Sequence, residues 1–188
     1  MLTGGPGAGK TAVLEMIRHE LCPHIVMVRE AAGILFSGGF PRGTDAPHRR
    51  AAQRAIFHVQ MELEELADET MPALVLCDRG VVDGFAYWPG PTDYWSGVGI
   101  ARDDALARYD AVIHLRTPLA GNGYGHQNPL RLETPAEARA IDDRILEAWS
   151  GHPRRFVIDA APDFVTKAAR AIELIRAEIP ECCRDGSG

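Results

Sequence analysis

Residues 4–11 read Gly4-Gly5-Pro6-Gly7-Ala8-Gly9-Lys10-Thr11, an order of residue types suited to holding a chain of phosphates. Gly4, Gly5, Gly7 and Gly9 are expected to take positive φ, so that successive N–H groups turn inward around phosphate oxygens. A helix beginning near Lys10 would add the positive end of its dipole. Lys10 is then placed to reach the β- and γ-phosphates, and the Thr11 hydroxyl to coordinate Mg²⁺. The expected phosphate-binding set is Gly5, Gly7, Ala8, Gly9, Lys10, Thr11 and Ala12. Lysine occurs only at Lys10 and Lys167 among 20 basic residues. Its presence in the slot this pattern reserves for it argues against an ordinary glycine-rich turn.

A triphosphate site of this kind needs a second metal-side group at the end of a neighbouring apolar strand. Ala73-Leu74-Val75-Leu76-Cys77-Asp78 supplies one, and Arg79-Gly80 follows directly. Asp78 is the expected metal partner of Thr11, and the planar fork of Arg79 is suited to a phosphoryl group. The competing reading is a strand-terminal Asp that caps the next helix. Glu30 ends the preceding apolar strand and could accept a proton from a substrate hydroxyl. It could equally serve as the N-cap or first-turn charge of a helix over 31–36.

Residues 116–134, rich in glycine and asparagine, are too long for a simple connection, so a mobile lid is expected there. Arg131 is its candidate for charge over the triphosphate, with Arg139 and Arg144 as further cations whose commoner fate is solvation. Phe85, Tyr87, Trp88, Tyr94 and Trp95 cluster in another loop. Stacking on a planar acceptor and packing of the loop onto the sheet stand as equal readings. Asp83, in the same loop, could reach an acceptor hydroxyl.

The elements that must position these groups alternate between strand and helix, the pattern of a parallel α/β sheet. Strands are expected near 24–29, 73–78, 111–115 and 155–159. Helices are expected over 11–22, 47–70, 135–149 and 163–178, with Thr134 and Glu137 as a capping box. In the second helix Ala52, Ile56, Val59, Leu63 and Leu66 form an apolar stripe. Only Met1, Leu2 and Thr3 precede the glycine loop, which predicts a truncated first strand, since ~5–6 residues is usual. One domain over 1–179 and a disordered tail over 180–188 complete the expected organisation.

With 188 residues, 46% apolar content and a formal net charge of −6, the chain is long enough for one core and argues against nucleic-acid or membrane binding. Cys22, Cys77, Cys182 and Cys183 show no paired metal spacing and no disulfide framework. The seven histidines form no recognisable metal motif. Without a signal peptide or a long apolar run, a cytoplasmic, soluble protein is expected.

The segments LTGGPGAGKT, VREAA, CDRGVVDGFAYW, YDAVIHLRTP, NPLRLETPAEARAIDDRILEAW and FVIDAAPDFVTKA together resemble the small stand-alone AAA-like P-loop domains. These are grouped with the ribosylnicotinamide-kinase domain of the NAD-biosynthesis regulator NadR. The resemblance runs to about residue 175. It implies a five-stranded parallel sheet in the order 2-3-1-4-5, with helices on both faces and a lid. By analogy with nucleoside and deoxynucleoside kinases, it aligns Glu30 with a general base, Asp78-Arg79 with the acidic-Arg pair beside Mg²⁺, and Arg131 with lid arginines. No second helical domain of the kind that builds AAA rings is found.

The leading reading is transfer of the γ-phosphoryl of ATP to a small, nucleoside-like hydroxyl acceptor, with Glu30, Lys10, Arg79 and Arg131 as catalytic residues and Thr11 and Asp78 holding Mg²⁺. A non-kinase NTPase or nucleotide-dependent switch acting on a protein partner, with ATP or GTP, is the alternative. A kinase acting on an antibiotic is a third. Thr166-Lys167-Ala168-Ala169 does not supply the Asn-Lys-x-Asp guanine motif.

Overall fold

A computed structural model of the chain describes residues 1–19, 21–90, 93–118, 133–160 and 163–183. In chain order the elements are β1 (Leu2–Thr3), α1 (Lys10–Arg18), β2 (Ile25–Val28), α2 (Ala31–Ser37), α3 (Ala46–Glu69) and β3 (Leu74–Cys77). There follow α4 (Gly84–Tyr87), α5 (Tyr94–Val98), α6 (Arg102–Ala107), β4 (Val112–Leu115), α7 (Pro135–Ala148), β5 (Arg155–Ile158) and α8 (Phe164–Glu178). Short 3₁₀ turns span Val81–Asp83 and Glu181–Cys183.

The strand pairings among the described residues are parallel. β1, β4 and β5 form one sheet in the order β1-β4-β5, and β2 pairs with β3 in another. Among the described residues one isolated bridge, Leu2 with Asp78, joins the two pieces. The expected single five-stranded sheet is therefore divided, because β1 has two residues and its full ladder lies on the β4 side. Asp78 itself donates its N–H to the Val28 carbonyl at 2.8 Å, and Arg79 N–H reaches Leu2 O at 2.9 Å.

Helix caps follow the sequence signals closely. The Thr134 side chain accepts from Glu137 N–H while the Glu137 carboxylate accepts from Thr134 N–H, a complete capping box for α7. Asp45 and Asp163 cap α3 and α8 in the same side-chain-to-backbone sense. α3 departs from its expected face. Its buried residues are Ala52, Gln53, Phe57, Gln60, Glu64 and Ala67, and Leu66 is exposed. The helix turns a half-polar stripe inward because that side meets a polar cleft and the partly buried Glu64–Arg108 ion pair rather than the sheet alone.

Two apolar clusters flank β4, and its side chains divide between them with the period of two that a strand imposes. Val112 joins Val82, Tyr94, Ile145 and the fully buried Trp149. Ile113 and Leu115 join Leu2, Val13, Ile17 and Ala171. Four of the five clustered aromatics, Phe85, Trp88, Tyr94 and Trp95, pack against one another. Tyr94 and Trp88 are buried, Tyr94 donates its hydroxyl proton to Val81 O at 2.6 Å, and Phe85 stacks on Trp95.

Asp83, a candidate to reach an acceptor hydroxyl, borders the cleft but serves as a buried hub. It accepts from Thr3 Oγ1 at 2.7 Å, Trp149 Nε1 at 2.7 Å and an Arg79 guanidinium nitrogen at 3.1 Å. β1, the α7 end and the loop after β3 converge on that one carboxylate. The C-terminal segment also differs from expectation. Residues 181–183 form a turn rather than the start of a disordered tail, and Cys183 is buried against Ile25 and Ile179. That turn brings Cys183 to Cys22 and His24, a grouping that local spacing could not reveal because the chain separation is so large. Among the described residues, no helix is long and apolar enough to cross a membrane.

Trp149→Phe keeps most of the ring volume and removes one donor to Asp83. It should lower stability by about 1–3 kcal/mol, because a buried acceptor loses a charge-assisted hydrogen bond. Urea unfolding checks this, and an unchanged midpoint would show that Thr3 and Arg79 suffice.

Candidate functional site

The glycine loop takes its shape from both backbone and surroundings. Gly4, Gly7 and Gly9 have positive φ. At Gly9 a Cβ would also meet the Phe164 ring at 2.4 Å, so close approach of α8 adds to the conformational demand. Gly5 differs from expectation: its φ is not positive. A Cβ there would strike Thr117 Oγ1 at 2.5 Å and Asp142 Cβ at 2.6 Å, so glycine is required by space.

The N–H of Gly5 donates to Asp142 Oδ1 at 2.8 Å, and that of Ala8 to Gly5 O at 3.2 Å. Gly5 therefore braces the loop from behind instead of presenting its amide to phosphate. Among the described residues, the N–H groups of Gly7, Gly9, Lys10, Thr11 and Ala12 donate to no protein acceptor. The last three are the orphan donors of the α1 amino end, the arrangement that receives an anion.

Side chains that sequence reasoning passed over hold the loop in place. Asp142, fully buried on α7, also accepts from Thr117 N–H at 3.1 Å, pairs with the Arg116 guanidinium at 3.2 Å, and lies 2.9 Å from His114 Nε2. Burial acts to raise its pKa. The bonds from His114, Gly5 and Thr117 outweigh that and leave it below the usual aspartate value. Lys167 donates to Ala8 O at 2.8 Å and to Arg116 O. Thr117 Oγ1 donates to Pro6 O at 3.2 Å. The available signal was the Asp142-Asp143 pair inside an amphipathic helix and the second of only two lysines, but neither named its target.

Lys10 is buried and donates to Gly4 O at 2.8 Å and Gly5 O at 3.2 Å. Burial, with Arg79 nearby, lowers its pKa to about 8, against the pull of Asp78 and Glu30. Asp78 is buried, and its Oδ1 has no hydrogen-bond partner among the described residues. Burial raises its pKa, with Lys10 acting in opposition. The open, buried Asp78 oxygen, close enough to Lys10 for their charges to act on one another, and the exposed Thr11 hydroxyl at the α1 amino end are oxygen donors of the kind a hard divalent cation such as Mg²⁺ takes.

Glu30 sits at the N-cap position of α2 yet makes no side-chain cap bond. Its carboxylate accepts from Arg79 Nε at 2.6 Å. Burial acts to raise its pKa, but Arg79 and Lys10 prevail and hold it below the ordinary glutamate value. Arg79 achieves this reach through a left-handed backbone, φ 72, unusual for a residue with a side chain. Its side chain spans Glu30 and Asp83, and its carbonyl accepts from Gln60 Nε2 at 3.4 Å.

A cleft of ≈ 640 Å³ joins these groups, within the range usual for small-molecule sites. Lys10 and Thr11 line it together with Glu30 and Arg79, and Phe36, Tyr87 and Gln53 line it as well. Gln60 is engaged structurally: it accepts from Ala31 N–H and donates to Glu64. Gln53 is 8% exposed and faces the cleft, and its amide has no hydrogen-bond partner among the described residues. Arg139 and Arg144 are anchors rather than roaming charges, donating to Thr117 O at 2.8 Å and to Phe85 O and Trp88 O. Arg131 and most of the segment expected to form a lid lie outside the described residues.

The lowered Lys10 pKa has a pH consequence. A bound polyphosphate would raise that pKa, so binding takes up a proton wherever the unliganded lysine is neutral. Affinity for a non-hydrolysable ATP analogue should be flat below about 8. Above that it should fall by up to ~10-fold per pH unit, the slope for one linked proton. Calorimetric titration from pH 6.5 to 9.5 in buffers of different ionisation enthalpy measures both the slope and the proton uptake, and a pH-independent affinity would detach Lys10 from the phosphates.

No curated protein matches the chain. A family model described as AAA domain matches residues 1–167, a span containing the glycine loop, Glu30, Asp78, Arg79 and the Asp142 brace. The chain belongs to this AAA-domain family of P-loop nucleotide-binding proteins.

Proposed function

We propose that the protein is a Mg²⁺-dependent phosphotransferase that moves the γ-phosphoryl of ATP to a hydroxyl of a small, nucleoside-like acceptor. The observation that carries this reading is the shared cleft. It joins a phosphate cradle to an ionised carboxylate and to an open, buried amide. A nucleotide switch needs the cradle and metal side alone. An acceptor site explains why Glu30, Arg79 and Gln53 face the same space.

The protein's part is positioning and charge. The amides of Gly7, Gly9, Lys10, Thr11 and Ala12 hold the phosphates, and the Lys10 ammonium sits against the β- and γ-oxygens. Thr11 and Asp78 would hold Mg²⁺, which when bound neutralises charge on the β- and γ-phosphates. The Glu30 carboxylate takes the acceptor's hydroxyl proton. The freed oxygen bonds to the γ-phosphorus, and the bond to the β–γ bridging oxygen breaks, its electrons leaving with ADP. Arg79 orients Glu30 and offers its remaining N–H groups to the transferred phosphoryl. The Gln53 amide supplies a donor and an acceptor to the planar part of the acceptor, beside the rings of Phe36 and Tyr87. In this reading the two sheet pieces act as one surface in the order 2-3-1-4-5.

Screening nucleosides and related hydroxyl compounds for ADP release above basal hydrolysis tests the proposal directly. If no acceptor stimulates release, the switch reading replaces it. With a responsive acceptor, Glu30→Gln should reduce transfer by roughly 10²–10⁴-fold while ATP-analogue affinity stays within a few-fold, as removal of a general base requires. Gln53→Leu should raise KM for the acceptor by ~10-fold or more and leave KM for ATP unchanged, the mark of an unmade hydrogen-bond pair. Asp78→Asn should weaken Mg²⁺-dependent nucleotide binding far more than metal-free binding, and an equal loss in both would make Asp78 structural.

A further inference from the structure

The C-terminal turn builds a side-chain grouping away from the nucleotide cleft. The side chains of Cys22, His24 and Cys183 each offer one ligand atom, and these atoms all lie within 4.8 Å of one another. Cys183 Sγ stands 3.9 Å from His24 Nδ1. We propose that this is a transition-metal site, selective for Zn²⁺-like ions, that fastens the C-terminal turn to the start of β2.

The geometry is close to what such an ion requires. Zn–S near 2.3 Å and Zn–N near 2.0 Å at a tetrahedral angle put the sulfur and nitrogen about 3.5 Å apart. The Cys183–His24 separation needs only a few tenths of an ångström of closure, and the other pairs, within 4.8 Å, need at most about an ångström. Two thiols and an imidazole form a soft donor set that favours Zn²⁺ over Mg²⁺ or Ca²⁺. Three protein ligands leave the fourth position to a solvent molecule, and the exposed His24 keeps the site open to it.

Both ligand-bearing segments are held before any ion arrives. Ile25 N–H donates to Cys22 O at 3.0 Å, closing a turn with Pro23 at its second position, where proline's fixed φ suits the chain. Ala73 N–H binds His24 O at 2.8 Å and ties that turn to the strand beside it. On the other side, Cys183 N–H donates to Pro180 O at 2.9 Å, and Cys183 packs with Ile25 and Ile179. A partly buried thiol, a buried thiol and an exposed imidazole thus meet where two fixed turns converge. The remaining described cysteine, Cys77, is buried in a separate cluster, and burial pushes its thiol pKa up to about 12, the environment of an inert core residue. The site shares no residue with the nucleotide cleft, so it stands whether or not the chain is a kinase.

The test uses the full chain, purified under reductant, stripped with chelator and titrated with Co²⁺ in excess Mg²⁺. One equivalent should produce thiolate-to-cobalt charge-transfer absorption and the intense visible bands of tetrahedral coordination, and Zn²⁺ should bleach both. Cys183→Ser and Cys22→Ser should abolish the charge-transfer band or reduce it sharply, His24→Ala should weaken binding by at least tenfold, and Cys77→Ala should change neither. Zn²⁺ should raise the Tm of the unaltered chain and not that of Cys183→Ser.

A measurement without variants guards against misfolding. Zn²⁺ should protect two thiols of the unaltered chain from alkylation, mapped by peptide mass to Cys22 and Cys183. Absence of the band at one equivalent, its persistence in Cys183→Ser, or protection elsewhere would overturn the site. A Cys22–Cys183 disulfide in protein purified without reductant, combined with no zinc protection, would overturn it in favour of a redox pair.

Discussion

A carboxylate with no exposure must be surrounded by donors, because an uncompensated buried charge is among the most destabilising groups a core can hold. Asp142 meets that demand with donors drawn from three places: Gly5 in the glycine loop, Thr117 and Arg116 just after β4, and His114 within it. The loop, the β4 end and α7 are therefore not free to move independently. Lys167 adds a second tie from α8 to Ala8 and Arg116. The loop amides left without a protein acceptor, to which the proposed function gives the phosphates, are held in place by these inward bonds. Preorganisation of this kind spares the loop the ordering that ligand binding would otherwise require.

A parallel arrangement governs the other half of the cleft. Asp83 draws Thr3, Trp149 and Arg79 together, and Arg79 in turn fixes Glu30. A residue carrying a side chain is held at positive φ to make that span. Backbone strain of this sort persists only where surrounding bonds over-determine it. Here the Leu2 carbonyl, Gln60, Asp83 and Glu30 do so together. The two-residue first strand, with one bridge toward β3, leaves side chains to connect the sheet pieces.

Much of this was legible in the sequence, and the failures share a cause. The glycine loop, the strand-terminal Asp78 and Glu30 and the α7 capping box are local patterns, each set by spacing within a few residues. What stayed hidden depends on partners far away along the chain. Asp142 reads as one more charge on an amphipathic helix until its 137-residue contact with Gly5 is seen. Asp83 read as a loop acid within reach of an acceptor hydroxyl because nothing local announces Thr3 or Trp149. The α3 stripe misled for a related reason: a helix bordering a polar cleft turns glutamines inward, so hydrophobic periodicity points along the wrong face. Cys183 was misjudged because a polar, glycine-ending tail composition says nothing about a single buried thiol.

Both lysines of the chain are buried, at 7% exposure for Lys10 and 4% for Lys167. The folded surface consequently carries its fixed positive charge on guanidinium groups, and Lys10 meets small reagents only through the cleft it lines. Covalent chemistry at the Lys167 ε-amino group would require its ties to Ala8 and Arg116 to open first. The extent of Lys167 labelling is thus a direct reading of how often α8 lets go of the glycine loop.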